Sequence, residues 1–204
     1  MIPEPQKKLV ADAIRAAEAR TTGEIYCVIA KHASDYRLVP IAWAAALALF
    51  VPLPLIYLDA WPAEMIYGCQ LAAFFIAALV LSYPGLRFHI VPRKAKHDRA
   101  HAAAMRQFWA HGLDQTEHRT GVVIFASEAE RYAEIIADAG IDRKVAPDVW
   151  NDAVAALIDG IKSDQPAEGF ISAIEKCGAV LALHFPLPAG AKNPDTLPNR
   201  LVEI

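Results

Sequence analysis

Residues 38–58, LVPIAWAAALALFVPLPLIYL, and residues 65–86, MIYGCQLAAFFIAALVLSYPGL, decide how this chain is read. Neither run contains Asp, Glu, Lys or Arg, and only Asp59-Ala60-Trp61-Pro62-Ala63-Glu64 separates them. A helix needs about 20 predominantly apolar residues to cross the hydrocarbon core of a bilayer. Each run meets that length, so the pair predicts a transmembrane helical hairpin. Pro52 and Pro54 predict a kink near the far end of the first span, because membrane spans tolerate proline better than soluble helices do. Tyr57, Trp61, Tyr67 and Tyr83 lie near the run ends, where amphipathic rings favour the interface.

The flanks orient the hairpin. Lys31 and Arg37 precede it, Arg87, Arg93, Lys94, Lys96 and Arg99 follow it, and the connecting loop has no Lys or Arg. Basic residues accumulate on the cytoplasmic side. The expectation is a multi-pass protein of the inner (plasma) membrane with both termini and the soluble domain in the cytoplasm. The basic cluster then serves as a headgroup anchor, and the lipid bilayer is the first partner. With 20 Lys and Arg against 23 Asp and Glu, net charge is near −3, and nucleic acid is not an expected partner. Cys27, Cys69 and Cys177 form no CxxC pair and read as reduced thiols.

The remainder has the pattern of a soluble α/β domain. Residues 3–20 alternate apolar and charged positions at helical spacing, with Pro5 in the first turn. Thr21-Thr22-Gly23-Glu24 reads as a turn with a solvated strand-end carboxylate. Ile25-Tyr26-Cys27-Val28-Ile29-Ala30 reads as a strand buried on both faces. After the hairpin, residues 94–111 predict a helix. Within it His97 and His101 share a face and read as two solvent-facing histidines rather than a metal site. Residues 120–126 and 131–137 read as strands, and the polar turn between them is too short for a crossover, so they pair antiparallel. Residues 148–162 predict one amphipathic helix and, after a break at residues 163–166, Phe170, Ile174, Cys177 and Leu181 mark one face of a second that Pro186 ends. The tail, residues 186–204, is proline-rich without periodicity and reads as flexible. The domain boundaries expected are 1–37, 38–86, 87–185 and 186–204, with the hairpin inserted into the α/β domain after its first strand.

These residues resemble a known family. The Thr21-Thr22-Gly23-Glu24-Ile25 strand entry, Arg119-Thr120-Gly121-Val122-Val123-Ile124-Phe125, Ala129-Glu130-Arg131-Tyr132 and Ile136-Ala137-Asp138-Ala139-Gly140-Ile141 are similar to the TPM domain. So are Gly169-Phe170 through Cys177-Gly178 and His184-Phe185-Pro186. That family is named for a thylakoid-lumen acid phosphatase, a photosystem II repair protein and a nicotinic-receptor regulator. The resemblance implies an α/β/α sandwich with a short mixed central sheet, here interrupted by the hairpin. It also implies, in some members, calcium-linked phosphatase activity.

Two functions follow from these readings. The first is a membrane-tethered binding or regulatory module whose cytoplasmic domain contacts another membrane protein. The alternative is a divalent-metal-dependent phosphatase using Ca²⁺ or Mg²⁺. For the latter, Glu24, Asp138 and Asp142 are the candidate metal ligands, because they fall at strand ends or in the loop that follows. The same acids also read as turn formers and helix caps. No DxDxDG loop, phosphate-cradling glycine loop, GxSxG elbow or phosphatase cysteine motif is present, and no catalytic residue is assigned.

Overall fold

A computed structural model of the chain describes residues 2–59, 61–116, 119–188, 190–193 and 197–204. In chain order the elements are α1 (Glu4–Glu18), β1 (Glu24–Ala30), α2 (Leu38–Phe50), α3 (Pro52–Asp59), α4 (Ala63–Leu81), α5 (Pro84–Ile90), α6 (Arg93–Ala110), β2 (Gly121–Ser127), β3 (Tyr132–Ala137), α7 (Ala139–Asp142), α8 (Asn151–Lys162), α9 (Pro166–His184) and β4 (Leu201–Glu203). Two compact units divide them: residues 1–33 with 97–204, and residues 34–96.

The first unit is built on a mixed four-stranded sheet in the order β3-β2-β1-β4. β1 runs parallel to β2, with Glu24 opposite Gly121 and Ala30 opposite Ser127. β2 and β3 form the expected antiparallel hairpin. Alternation along the strands sends two sets of side chains to opposite faces. Ile25, Cys27, Ile29, Val122 and Ile124 join Val10 and Ile14 of α1, Leu157 of α8, and Phe170 and Ile174 of α9. Tyr26, Val28, Val123 and Phe125 join Ala100, Ala104 and Phe108 of α6, with Leu113 beside them. Both faces are therefore covered, giving an α/β/α arrangement. This is why β1 and β2 carry no polar alternation. Complete burial of a large side chain such as Phe125 or Phe170 stabilises the fold by about 1.5–3 kcal/mol.

The carboxy-terminal segment departs from the sequence reading. Within the tail expected to be flexible, residues 201–203 form β4, which pairs parallel with β1 and buries Leu201. Asn193 adds a second tie, its Nδ2 donating to the carbonyl oxygens of Thr21 and Gly23 at 2.9 Å each. A three-residue strand has no periodicity to detect. It exists because the outer edge of β1 offers unpaired backbone groups.

In the second unit the first apolar run is interrupted before Pro52: α2 ends at Phe50 and Pro52 begins α3, with Val51 between them still in helical dihedrals. The second run differs from the expected 65–86. Its helix starts earlier, at Ala63, and stops at Leu81, and Pro84 opens a separate helix from its first turn. Residues Leu38–Tyr57 and Ala63–Leu81 are long and apolar enough to cross a membrane. Pro40, Ala44 and Ala48 are the buried positions of α2, while no residue of α4 is buried.

Candidate functional site

The three candidate metal ligands lie at one end of the sheet. Glu24 begins β1, Gly121 stands opposite it on β2, and the Asp138 N–H donates to the Gly121 carbonyl at 2.9 Å. Glu24 and Asp138 thus flank Gly121 in a single row. Two strand spacings put their backbones roughly 10 Å apart. The row is closed between them: a Cβ on Gly121 would sit 2.7 Å from the Leu113 carbonyl oxygen, so Leu113 packs where a side chain would project. Glu24 is buried at 3% exposure and engaged by neighbouring groups, which corrects its reading as a solvated charge.

Asp138 has a defined structural task. It is the N-cap of α7, and its carboxylate accepts the Ala139 N–H at 2.6 Å. Arg119 donates from Nε to its other oxygen at 3.4 Å. The Asp142 carboxyl is held above the usual carboxylate range, first by burial and then by the negative charge of Asp138. The two aspartates are therefore electrostatic neighbours. Among the described residues, however, no group of three or more His, Cys, Asp or Glu side chains is placed to hold a metal. With Asp138 already shared between a backbone amide and a guanidinium, the arrangement does not fit an open three-carboxylate cation site. The row also lies at the amino ends of the parallel strands. Ligands of open α/β sheets gather beyond the carboxyl ends, so the strand-end argument for these acids does not hold for Glu24.

A second polar cluster joins α6 to β3. His101 Nδ1 lies 2.9 Å and 3.0 Å from the two carboxylate oxygens of Glu134, and the Tyr132 hydroxyl donates to the same carboxylate at 2.9 Å. The His97 ring meets the Tyr132 ring edge-on, with centroids 5.1 Å apart. Helical spacing puts the two histidines one turn apart, and strand alternation puts Tyr132 and Glu134 on one face. Burial, followed by the Glu134 carboxylate, pushes the Tyr132 phenol above its ordinary range. The phenol is thus a firm proton donor at neutral pH, and Glu134 is an acceptor with two donors on it. The histidine spacing was visible in the sequence. The carboxylate was not, because it sits 33 residues away.

The turn between β2 and β3 is anchored by Glu130, which is 5% exposed. Its carboxylate accepts the Ala33 N–H at 3.1 Å and the Ser127 hydroxyl. Ser127 is fully buried at the end of β2 instead of lying in the turn, so its hydroxyl has no path to a substrate. Thr120 Oγ1 is likewise spent on the Thr22 carbonyl at 3.1 Å. Burial pushes the Cys177 thiol up to about 12 and holds the Cys27 thiol well above the ordinary range, which makes both inert.

Comparison with known proteins agrees with this architecture. Residues 84–180, from α5 into α9, match the model of the TPM domain. No curated protein matches the chain. The fold is similar to that of the BA42 protein from the psychrophilic bacterium Bizionia argentinensis, solved by NMR, with a TM-score of 0.63 and 20% sequence identity, over 100% of this chain and 96% of that one. Arg119–Phe125, Ala129–Tyr132, Ile136–Ile141 and Gly169–Gly178, which carry much of the sequence resemblance, lie within the matched residues, and over them the chain is similar to the TPM domain.

Proposed function

We propose that this chain is an integral membrane protein whose TPM domain is a tethered binding or regulatory module for another membrane protein. One observation carries the membrane part. Of the two apolar helices, 17% of the first and none of the second is buried inside the protein. Trp43, Leu49, Phe50, Phe75, Ile76 and Leu79 are each about half exposed or more. A core helix of a soluble protein hides such residues, and every large apolar side chain left in water forgoes about 1.5–3 kcal/mol. Contiguous exposure on this scale fits lipid as the solvent.

Two spans return the chain to the side it left. That suits an insertion whose flanking segments both belong to the α/β unit. The basic residues on both flanks, with Glu64 and no Lys or Arg in the connection, favour the cytoplasmic side of the inner membrane. The engaged state of Asp138, Ser127 and Thr120 favours binding over chemistry. Carbonate-washed membranes test the anchor: recovery of the chain in the supernatant overturns it. Purification in mild detergent tests the module. A reproducible membrane-protein partner is expected, and robust hydrolase turnover without any partner would refute the assignment.

The Asp138–Asp142 pair keeps the phosphatase as a second reading. In that reading the pair would contribute carboxylate ligands to Ca²⁺ or Mg²⁺, and the ion would supply an activated water. Calorimetric titration of the chain with either ion, repeated on Asp138→Ala, decides it. Absent binding, or binding unchanged in the variant, removes the reading.

A further inference from the structure

A crevice of 460 Å³ opens in the α/β unit between the β2–β3 turn and the α8–α9 turn. Its volume falls in the range of small-molecule sites, roughly 300–1,000 Å³. It also lies beside the carboxyl end of β2, where ligands of parallel sheets gather.

Both walls are rigid before any ligand arrives. On one side, buried Glu130 ties the turn to Ala33 and Ser127, and the Arg131 N–H closes it on the Glu128 carbonyl at 3.2 Å. On the other, α8 and α9 touch backbone to backbone: a Cβ on Gly160 would lie 2.5 Å from the Gly169 Cα. Arg131 and Asp164, one from each turn, both line the crevice with positive φ, at 51° and 59°. Non-glycine residues keep that conformation where their surroundings over-determine it, and such positions cluster at ligand clamps. Walls set in advance lower the ordering cost of binding.

The lining names the chemistry. Arg131 and Lys162 bring two cations. Among the described residues no carboxylate lies within ion-pair distance of Arg131, and Lys162 has only the exposed Asp159, at 4.0 Å. Ile158 and Ile161 form an apolar wall. Glu128 and Asp164 add two acceptors. These repel a polyanion and suit a ligand that also has a hydroxyl or amine to donate.

We propose that this crevice binds a small organic anion. Its carboxylate or phosphate head lies on Arg131 and Lys162, and its apolar body lies against Ile158 and Ile161. The guanidinium fork matches either head group in bidentate geometry. This site is independent of the tethered-module reading and stands or falls separately from it.

Isothermal titration of the full chain in detergent micelles tests it, with phenyl phosphate, 4-hydroxybenzoate and inorganic phosphate as probes. Saturable binding is expected for at least one aromatic probe, tighter than for inorganic phosphate. Arg131→Gln or Lys162→Gln should weaken it by at least about tenfold, the scale of a lost charge-assisted hydrogen bond. A preference for phenyl phosphate identifies a phosphate ligand, and a preference for 4-hydroxybenzoate a carboxylate. Both side chains are exposed, and unchanged circular dichroism of the variants separates lost binding from lost folding. No saturable binding up to about 10 mM, well above the millimolar range of weak sites, would overturn the proposal. Binding identical in wild type and both variants would do the same.

Discussion

His101 on α6 and Glu134 on β3 form a direct pair, with Nδ1 2.9 Å from Oε2, and their side chains are 54% and 25% exposed. Partial exposure sets the scale of what the pair contributes. A double-mutant cycle of His101→Ala and Glu134→Gln should give a coupling of about 0.2–1 kcal/mol. Adding Tyr132→Phe should reduce that coupling, because its hydroxyl holds the same carboxylate. A cycle that sums to zero within error would show that the contact does not join helix to strand.

Asp142 should respond to pH with the opposite sign to a paired carboxylate. Its folded-state pKa is raised, so the native state holds the proton more tightly than the unfolded chain. Stability from this group is therefore lost as pH rises through the folded value, and at pH 7 its charge destabilises the fold. Asp142→Asn should raise the thermal midpoint at pH 7. The advantage should disappear below about pH 4, where aspartate is protonated in both states. Equal midpoints at pH 7 would contradict the burial and the Asp138 repulsion that raise its pKa.

Glu203 shows the converse. Its carboxylate accepts the Ile2 N–H at 2.7 Å and lies 3.3 Å from Lys7 Nζ. The backbone hydrogen bond first, and then Lys7, hold its pKa below the ordinary value. The stability it contributes is present above the unfolded carboxylate pKa, about 4.3, and is lost as pH falls through the lower folded value. Protection of the β4 amides from hydrogen exchange, taken relative to the intrinsic rate at each pH, should fall over that acid range. In Glu203→Gln protection should already be lower at pH 7 and should not fall further through this group as the pH drops.

Gly160→Ala should destabilise the fold although alanine is the better helix former. The new methyl would meet the Gly169 Cα at 2.5 Å, so α8 and α9 must separate. Overpacking of this kind costs about 1–3 kcal/mol, more than the helix-propensity gain of about 1 kcal/mol. Urea denaturation measures the balance, and a midpoint at or above wild type would refute the close approach.

Phe75→Arg tests the second apolar helix. Phe75 is 65% exposed near the middle of Ala63–Leu81. A central arginine costs insertion about 2.5–3.5 kcal/mol. The variant should leave the membrane fraction or be degraded, whereas Phe75→Leu should behave as wild type. Full membrane recovery of Phe75→Arg would count against a span.

Several of these relationships were legible in the chain and others were not. The strands at β1, β2 and β3 show themselves through local composition, and the two-residue separations of their buried sets follow from pleating. The break at Pro52 follows from a missing N–H. Glu24 and β4 are the misreadings. A carboxylate at a strand mouth is ordinarily wet, and only the packing around Glu24 buries it. The strand at Leu201–Glu203 is defined by its partner β1, some 170 residues earlier, and no window of sequence contains both. The acids at 24, 138 and 142 looked equivalent because all three sit at element ends. The register separates Glu24 from Asp138 by a whole strand and sets α7 on Asp138 as its cap.

By itself, the sequence determined where β1 to β3, the main helices of the α/β unit and the two apolar runs lie, though not β4, because periodicity, proline placement and uncharged length act over a few turns of chain. The tertiary structure alone decided which distant groups meet. The His101–Glu134 pair, the Glu130 anchor and the Arg131–Lys162 crevice each join residues whose proximity is produced by packing, where burial and geometry, rather than residue type, set what a side chain can do.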